Sequence, residues 1–284
     1  MSTADGTSVP ERAARRTALP GSASGMTRAH QRFGTIVVVG GGCYGGYYVR
    51  QLGRAERANA VSWERLLVVD RDASCPVTLL PAGERPPRLE VVAEDWEAFF
   101  ERFLADAASH PVTGSEDAIV PSPLMPHLMA GWLMSRARAR WPDREVAIAP
   151  LGRTPDVRWE RAGEDHTHYV SFADWMCPIN CIEPEVCPHT RGPRDWSMPP
   201  ALREYAAAES AAGRPVDGPY LFRCLHRAYG VGMLDVRDIV EADAAIAARG
   251  AQGAATFLVG TVSHCHGALR RICLLYTSPS PRDS

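Results

Sequence analysis

A glycine-rich turn between an apolar strand and a helix constrains the fold of this chain more than any other feature. The strand is the β-branched run at residues 35–39, and the turn after it contains Gly40, Gly42 and Gly45 at the spacing G-x-G-x-x-G. In such a unit the first glycine permits a tight turn, the second lets the backbone approach a phosphate, and the third lets the helix pack closely. N–H groups at the start of the helix attract an anion. The pattern therefore predicts a phosphate-binding turn at the start of an α/β domain.

A second apolar strand at residues 65–69 follows the helix and ends at Asp70. An acid at this strand end is placed to accept hydrogen bonds from ribose hydroxyls. Residues 35–72 thus resemble the first βαβ unit of the Rossmann-type NAD(P)/FAD-binding superfamily. The resemblance implies cofactor-binding roles for Gly40, Gly42, Gly45 and Asp70.

The resemblance favours NAD(H) as the cofactor over NADP(H) or FAD, because the Asp70 carboxylate repels a 2′-phosphate. Arg71 works against this preference, since an arginine there can accommodate that phosphate. The chain departs from the family pattern in two ways. The distance from the glycines to Asp70 exceeds the usual ~20 residues, which predicts a longer helix or loop over residues 55–63. Tyr47 and Tyr48 are also bulkier than the small residues usual after the glycines.

Strand and helix patterns continue to alternate as far as residue 150. Such alternation predicts a Rossmann-like doubly wound parallel sheet over residues 34–150, with ligands at the carboxyl ends of the strands. His127 follows one such strand end and is a candidate proton-transfer residue, although a histidine on a helix face is more often only packed. The predicted strands lie at residues 89–92, 118–120 and 145–149, and the predicted helices lie at residues 94–107 and 124–141, the second with an exposed run of Arg136, Arg138 and Arg140.

Residues 151–272 are expected to form a smaller α+β region built around cysteine. Cys177, Cys181 and Cys187 lie in a proline-rich segment without helical or strand periodicity. A metal ion or an iron–sulfur cluster would order such a segment. We therefore expect these cysteines to be metal ligands, with Cys224 as the fourth ligand and Cys265 as the second choice. The spacing does not distinguish an iron–sulfur cluster from zinc, and three buried structural thiols are the alternative.

Cys265 is also a candidate catalytic residue because it lies between two histidines in the segment Ser263-His264-Cys265-His266. Neighbouring imidazoles can lower the pKa of a thiol and make it nucleophilic or redox-active. Adjacent residues on a strand point to opposite faces, so His264 and Cys265 need not meet.

The two ends of the chain are expected to lie outside the fold. Residues 1–33 are polar and arginine-rich without apolar periodicity, which predicts a disordered extension. Residues 273–284 read CLLYTSPSPRDS and resemble the in-frame translation of a sequencing adapter. On that interpretation the natural sequence is cut at about Ile272, its true C-terminus is missing and Cys273 is an artefact.

Composition narrows the classes of function. A net charge of -2, from 31 basic and 33 acidic residues, gives no general attraction to nucleic acid, and the longest apolar runs are too short to span a membrane. Every basic residue other than histidine is arginine, so a Walker-type phosphate loop and a Schiff-base lysine are excluded. No secretory signal is recognisable, which predicts a cytoplasmic protein with reduced thiols.

Together these features predict an NAD(P)-binding oxidoreductase. It would couple the dinucleotide to a cysteine-ligated metal or iron–sulfur centre and act on a small molecule or redox partner that the sequence does not identify. The alternative is a non-catalytic sensor of nucleotide or redox state with a structural zinc site.

Overall fold

A computed structural model describes residues 30–110, 116–178 and 181–276. Within these ranges the chain forms a mixed α/β fold of five α-helices and twelve strands. The helices are α1 (Cys43–Arg57), α2 (Trp96–Ser109), α3 (Leu128–Arg140), α4 (Met198–Ala211) and α5 (Val236–Gly250). The strands are β1 (Gln31–Val39), β2 (Val61–Asp70), β3 (Leu89–Ala93), β4 (Ala118–Val120), β5 (Arg144–Ala149), β6 (Trp159–Ala162), β7 (His168–Ser171), β8 (Asp217–Arg223), β9 (Leu225–Ala228), β10 (Val231–Asp235), β11 (Ala255–Val262) and β12 (His266–Tyr276).

The first sheet contains the glycine-rich turn. Its strand order is β3-β2-β1-β4-β10-β9, with the first four strands parallel and β10 antiparallel to both β4 and β9. The strands expected at residues 35–39, 65–69, 89–92 and 118–120 are all present in it. The long distance from the glycines to Asp70 results from a 15-residue helix α1 and a ten-residue strand β2.

The second sheet has the order β6-β7-β12-β11-β8, and β5 pairs with the C-terminal half of β12, from Arg271 to Tyr276. Strands β6 and β7 form an antiparallel hairpin on either side of Gly163. The apolar pattern at residues 145–149 predicted the last strand of the first sheet, and that prediction is wrong, because β5 pairs with β12. Residues 225–235 take the outer positions of the first sheet instead, so each sheet contains segments from both halves of the chain.

Helices cover both sheets and separate them. The β-branched side chains of β1 alternate between two cores, with Ile36 and Val38 packed beneath α1 and Val37 and Val39 packed against α2 and α3. The core on the α2 side also includes α5 and one face of the second sheet, and α4 packs on that sheet's other face. Alternation of side chains along a strand buries both faces of β1 in this way.

The arginines of α3 are not the fully exposed run that the sequence indicated. Arg136 and Arg140 both reach Asp243 of α5, at 3.2 Å and 3.0 Å between nitrogen and carboxylate oxygen, and only Arg138 of the three is exposed. Asp243 is 4% exposed, so the pair of guanidinium groups compensates a carboxylate that burial would otherwise disfavour.

The first and last residues of the fold also differ from those predicted from the sequence. Residues 31–33 belong to β1, and Phe33 is buried, so the predicted extension is too long at that end. Residues 273–276 continue β12, where Leu274 is fully buried against β5. The remainder of the two terminal predictions, residues 1–29 and 277–284, lies outside the described residues. No helix in the described part of the chain has the length and apolar character needed to cross a bilayer.

Candidate functional site

The glycine-rich turn has the close packing that its spacing predicts. Gly40 has φ +85°, a conformation that side chains rarely adopt. A Cβ atom added to Gly45 would lie 1.8 Å from the carbonyl oxygen of Gly40, so only glycine allows α1 to start so close to β1. A Cβ atom added to Gly42 would have no atom within 4 Å, because the backbone there faces open space. This is the position at which a phosphate would approach the backbone.

Asp70 lies at the end of β2, beside the glycine-rich turn. Its carboxylate accepts hydrogen bonds from the backbone N–H groups of Gly41 at 2.7 Å and Asp72 at 2.9 Å. Each oxygen keeps one further acceptor position, because an ionised carboxylate can accept about four hydrogen bonds. Arg71 turns away to donate to Asp95 at 2.7 Å.

A cleft connects the start of α1 with the cysteine-rich half of the chain. It has a larger chamber of about 700 Å³ and a smaller chamber of about 380 Å³, which share six lining residues. The larger chamber is lined by Tyr44, Tyr48, Pro123, Met176, Cys177, Pro178, Cys181, Glu183, Cys224, His226, Ser263, Cys265 and His266. The smaller chamber is lined by Tyr48, Pro121, Ser122, Pro123, Pro126, Tyr169, Cys224, His226, Gly230, Gly232, Thr261, Val262, Ser263, His266, Gly267 and Ala268.

The cleft lies where several strands end. Pro121 and Ser122 follow β4, Cys224 follows β8 and Ser263 follows β11. Tyr48 projects from the first turns of α1 and lines both chambers. In the sequence, the bulk of Tyr48 departs from the small residues usual after the glycines. That departure was the signal by which its place in the cleft could have been predicted.

Three of the four predicted metal ligands line the larger chamber, namely Cys177, Cys181 and Cys224. Burial raises the pKa of Cys177, and the charge of Cys181 raises it further. Burial, together with the charge of Glu183, raises the pKa of Cys224 to about 12. These shifts favour the protonated thiol at neutral pH when no metal is bound.

Cys187 is the exception among the predicted ligands. It does not line the cleft, and only 7% of it is exposed. Hydrogen bonds donated by the backbone N–H groups of Thr190 and His189, and by the Thr190 hydroxyl, lower the pKa of the Cys187 thiol despite its burial. N–H donors directed at sulfur stabilise a thiolate.

The described residues do not form a complete metal-binding site. In residues 30–110, 116–178 and 181–276, no three His, Cys, Asp or Glu side chains are arranged to hold a metal ion. The charges of Cys181 and Cys187 both raise the pKa of Cys177.

Glu183 is a structural residue of the cleft that the sequence analysis missed. Its carboxylate accepts hydrogen bonds from the Ser263 hydroxyl at 2.7 Å and from the backbone N–H groups of His264 at 2.9 Å and Cys265 at 3.0 Å. Burial by itself would raise the pKa of Glu183, but these three hydrogen bonds together hold it below the ordinary value. The loop also contains Glu185, and nothing in the sequence separates the two acids.

Cys265 does not have the environment of an activated nucleophile. The indole N–H of Trp196 lies 3.3 Å from its sulfur, and burial raises the pKa of Cys265 to about 11. The expectation that adjacent imidazoles lower this pKa is wrong, because the ring of His264 turns to Ser197 and the ring of His266 turns to Ser171.

The hydrogen bonds around His266 determine which ring nitrogen carries the proton. Ser171 Oγ donates to the carbonyl oxygen of Ala173 at 2.7 Å and therefore has no proton left for His266 Nδ1, which lies 3.0 Å away. Nδ1 must then be the donor, and in the neutral ring Nε2 carries the lone pair. Burial lowers the pKa of His266, so the neutral ring is favoured.

His127 lies outside both chambers. It precedes α3, and its Nε2 atom is 3.9 Å from the carboxylate of Asp165, which pairs with Arg270. Burial and the charge of Arg270 lower the pKa of His127. Within the described residues its Nδ1 atom is buried without a hydrogen-bond partner. His127 therefore does not line the cleft that contains the thiols.

Comparison with known proteins gives one match. Residues 129–274 match a family model described as an uncharacterized protein, C-terminal domain. The matched segment begins in α3 and ends in β12, so it contains the cysteine loop and leaves out the glycine-rich turn. No curated protein and no solved structure matches the chain.

Proposed function

The chain belongs to the family of this C-terminal domain, whose model covers half of it, and we propose that the protein is an NAD(H)-binding oxidoreductase that works in the thiol-lined cleft. One observation carries the proposal. Tyr44 and Tyr48, in the helix that begins at the glycine-rich turn, line the same chamber as Cys177, Cys181 and Cys224. A dinucleotide held at the turn would therefore extend towards the thiols.

The arrangement of the first sheet supports a dinucleotide site. Parallel strands in the order β3-β2-β1-β4 correspond to the first half of a Rossmann-type sheet. From β1 the chain adds β2 and β3 on one side of the sheet and then β4 on the other side of β1. Ligands of open α/β sheets bind in the crevice at such a point. Pro121 and Ser122 of the cleft follow β4, directly beside this point.

The start of α1 supports the binding of a pyrophosphate. The backbone at Gly42 faces open space, and the first turn of α1 contains no acidic residue. Unpaired N–H groups at a helix start carry a partial positive charge and bind phosphate oxygens. Asp70 would accept hydrogen bonds from the ribose hydroxyls at its remaining acceptor positions. This role favours NAD(H) over NADP(H) and FAD.

The bound nicotinamide would supply the hydride chemistry, and the cleft residues would orient and enclose the substrate. Cys224 and Cys265 are protonated at neutral pH, because burial raises the pKa of each to about 12 and about 11. They therefore contribute shape and apolar surface to the cleft while they remain thiols.

A cysteine-ligated zinc ion or iron–sulfur cluster remains part of the proposal. The hydrogen bonds that favour a Cys187 thiolate support it, since metal ligands must be deprotonated. The absence of a ready three-ligand group among the described residues does not support it. A protein with zinc and without turnover would favour the alternative, a non-catalytic nucleotide or redox sensor.

Calorimetric titration with NAD⁺ tests the proposal. Gly42→Val should abolish binding, because the side chain would occupy the position of the pyrophosphate while its Cβ atom meets no protein atom within 4 Å. Gly83→Val is the matched control, since a Cβ atom at Gly83 also has no atom within 4 Å and lies far along the chain from the turn. Unchanged affinity in Gly42→Val, or equal loss in both variants, would contradict the proposed function.

A further inference from the structure

We propose that the smaller chamber binds a small, uncharged and mainly apolar molecule whose single hydroxyl group donates a hydrogen bond to His266 Nε2. The inference deepens the proposed function by naming the class of substrate, a primary or secondary alcohol, and in that respect rests on it. Binding to this chamber itself is independent of the dinucleotide.

The lining of the smaller chamber excludes a charged ligand. None of its described lining residues is Asp, Glu, Lys or Arg, and Glu183 lines only the larger chamber. A charged group placed there would lose its hydration without gaining a partner of opposite charge. Prolines, glycines and the rings of Tyr48 and Tyr169 form much of the wall, so an apolar body is favoured.

The polar end of the ligand follows from the hydrogen bonds of His266. Its Nδ1 atom donates to Ser171 Oγ, so Nε2 of the neutral ring is an acceptor. Among the described residues Nε2 has no hydrogen-bond partner, and it is not one of the buried nitrogens sealed from solvent. The ring lines both chambers, and we infer that Nε2, its remaining nitrogen, meets a ligand in the smaller one.

The acceptor character of Nε2 selects the ligand's functional group. An acceptor in an apolar wall binds a hydroxyl more strongly than an ether or a hydrocarbon of the same shape, because neither of these can donate. A hydroxyl held in this way has its proton beside an imidazole lone pair, which is the position of a general base. His266 would then orient an alcohol and receive its hydroxyl proton, while the carbinol hydrogen would pass as hydride to the NAD⁺ of the proposed function and leave a carbonyl product.

Phenol and toluene are suitable probes, because they have similar shapes and only phenol donates a hydrogen bond. Calorimetry on the protein without added dinucleotide should show phenol binding about fivefold more tightly than toluene, with no binding of benzoate. The Gly42→Val variant should bind phenol as the wild type does. Loss of NAD⁺ binding and loss of phenol binding are thereby separate results.

His266→Asn should remove the preference for phenol over toluene. Asparagine keeps an N–H donor that can reach Ser171 and lacks an atom equivalent to Nε2. His264→Asn is the matched control, because His264 lies on the same turn, bonds to Ser197 and lines neither chamber. This control should retain the fivefold preference.

A measurement on the wild type covers the case in which His266→Asn does not fold. Nitrogen NMR of protein labelled at histidine should identify Nε2 of His266 as unprotonated and should show that signal move upfield with phenol and not with toluene. A protonated Nε2, equal binding of the two probes, binding of benzoate, or equal effects of the two histidine variants would overturn the proposal.

Discussion

Glu183 accepts a hydrogen bond from the hydroxyl of Ser263 at 2.7 Å and thereby ties the cysteine loop to the turn between β11 and β12. The same carboxylate accepts from two backbone N–H groups of that turn. These groups come from segments about eighty residues apart in the chain. This acid therefore joins an irregular loop to the turn of a regular hairpin at one wall of the cleft.

Glu183→Gln should destabilise the protein by about 2 kcal/mol, because hydrogen bonds to a charged acceptor are worth roughly 1.5–3 kcal/mol and an amide presents only one acceptor oxygen. Urea denaturation at pH 7 measures the change. Glu185→Gln is the control, since Glu185 is an exposed acid two residues along the same loop. Equal stability of the two variants would contradict the role assigned to Glu183.

The same residue predicts part of the pH dependence of folding. Its hydrogen bonds lower the pKa of Glu183 from the ordinary value of 4.5, so the folded state binds its proton less readily than the unfolded chain. The contribution to stability is then complete above pH 4.5 and is lost as the pH falls towards the lowered pKa. The stability difference between wild type and Glu183→Gln should shrink over that range, and a constant difference would contradict this account.

Gly45→Ala should destabilise the protein by about 1–3 kcal/mol or more, because the new Cβ atom meets the Gly40 carbonyl oxygen. Gly46→Ala is the matched control one residue further along α1, where the nearest atom is the flexible end of Arg50 at 3.6 Å. There alanine should be neutral or stabilise the helix by up to about 1 kcal/mol. Thermal or urea unfolding distinguishes the two, and similar changes would mean that the close approach of α1 to β1 is not required.

The wild type should bind NAD⁺ about tenfold more tightly than NADP⁺, because Asp70 repels a 2′-phosphate across a partly exposed surface. Arg71 is engaged with Asp95, so Asp95→Asn should release it and narrow the preference. Asparagine still caps α2 at this position, which preserves the helix. Asp106→Asn on the exposed side of α2 is the control. Calorimetry with both dinucleotides tests the prediction. An unchanged ratio of the NADP⁺ and NAD⁺ dissociation constants in Asp95→Asn would contradict the claim that a released Arg71 can accommodate the 2′-phosphate.

Cysteine variants test the metal proposal. If Cys177, Cys181 and Cys187 are metal ligands as proposed, protein purified without oxygen should contain a stoichiometric metal, and serine at any one of them should release it. Cys43→Ser should keep the full metal content, because Cys43 is exposed at the start of α1 and lies outside the cleft. Metal analysis and an absorbance spectrum give the result. Wild type without metal would remove the centre and leave the cysteines as packed or hydrogen-bonded thiols.

Local patterns in the sequence predicted much of the regular structure. The β-branched run of β1, the glycines after it and the apolar stripe of α2 each produce their element through contacts between residues close in the chain. The same locality explains the error at β5. An apolar strand pattern shows that residues 145–149 form a strand, but it does not show which sheet the strand joins, and β5 pairs with β12.

The sequence by itself determined the glycine-rich turn, the position of Asp70 beyond the second strand and the irregular character of the cysteine loop. Only the tertiary structure decided that Cys177, Cys181 and Cys224 share a cleft with Tyr48, that Cys187 is turned away, and that Glu183 rather than Glu185 anchors the loop. The physical reason is the range of the interactions. Turns and strands follow from backbone sterics over a few residues, whereas the cleft depends on pairing between β8, β11 and β12 and on hydrogen bonds across about eighty residues.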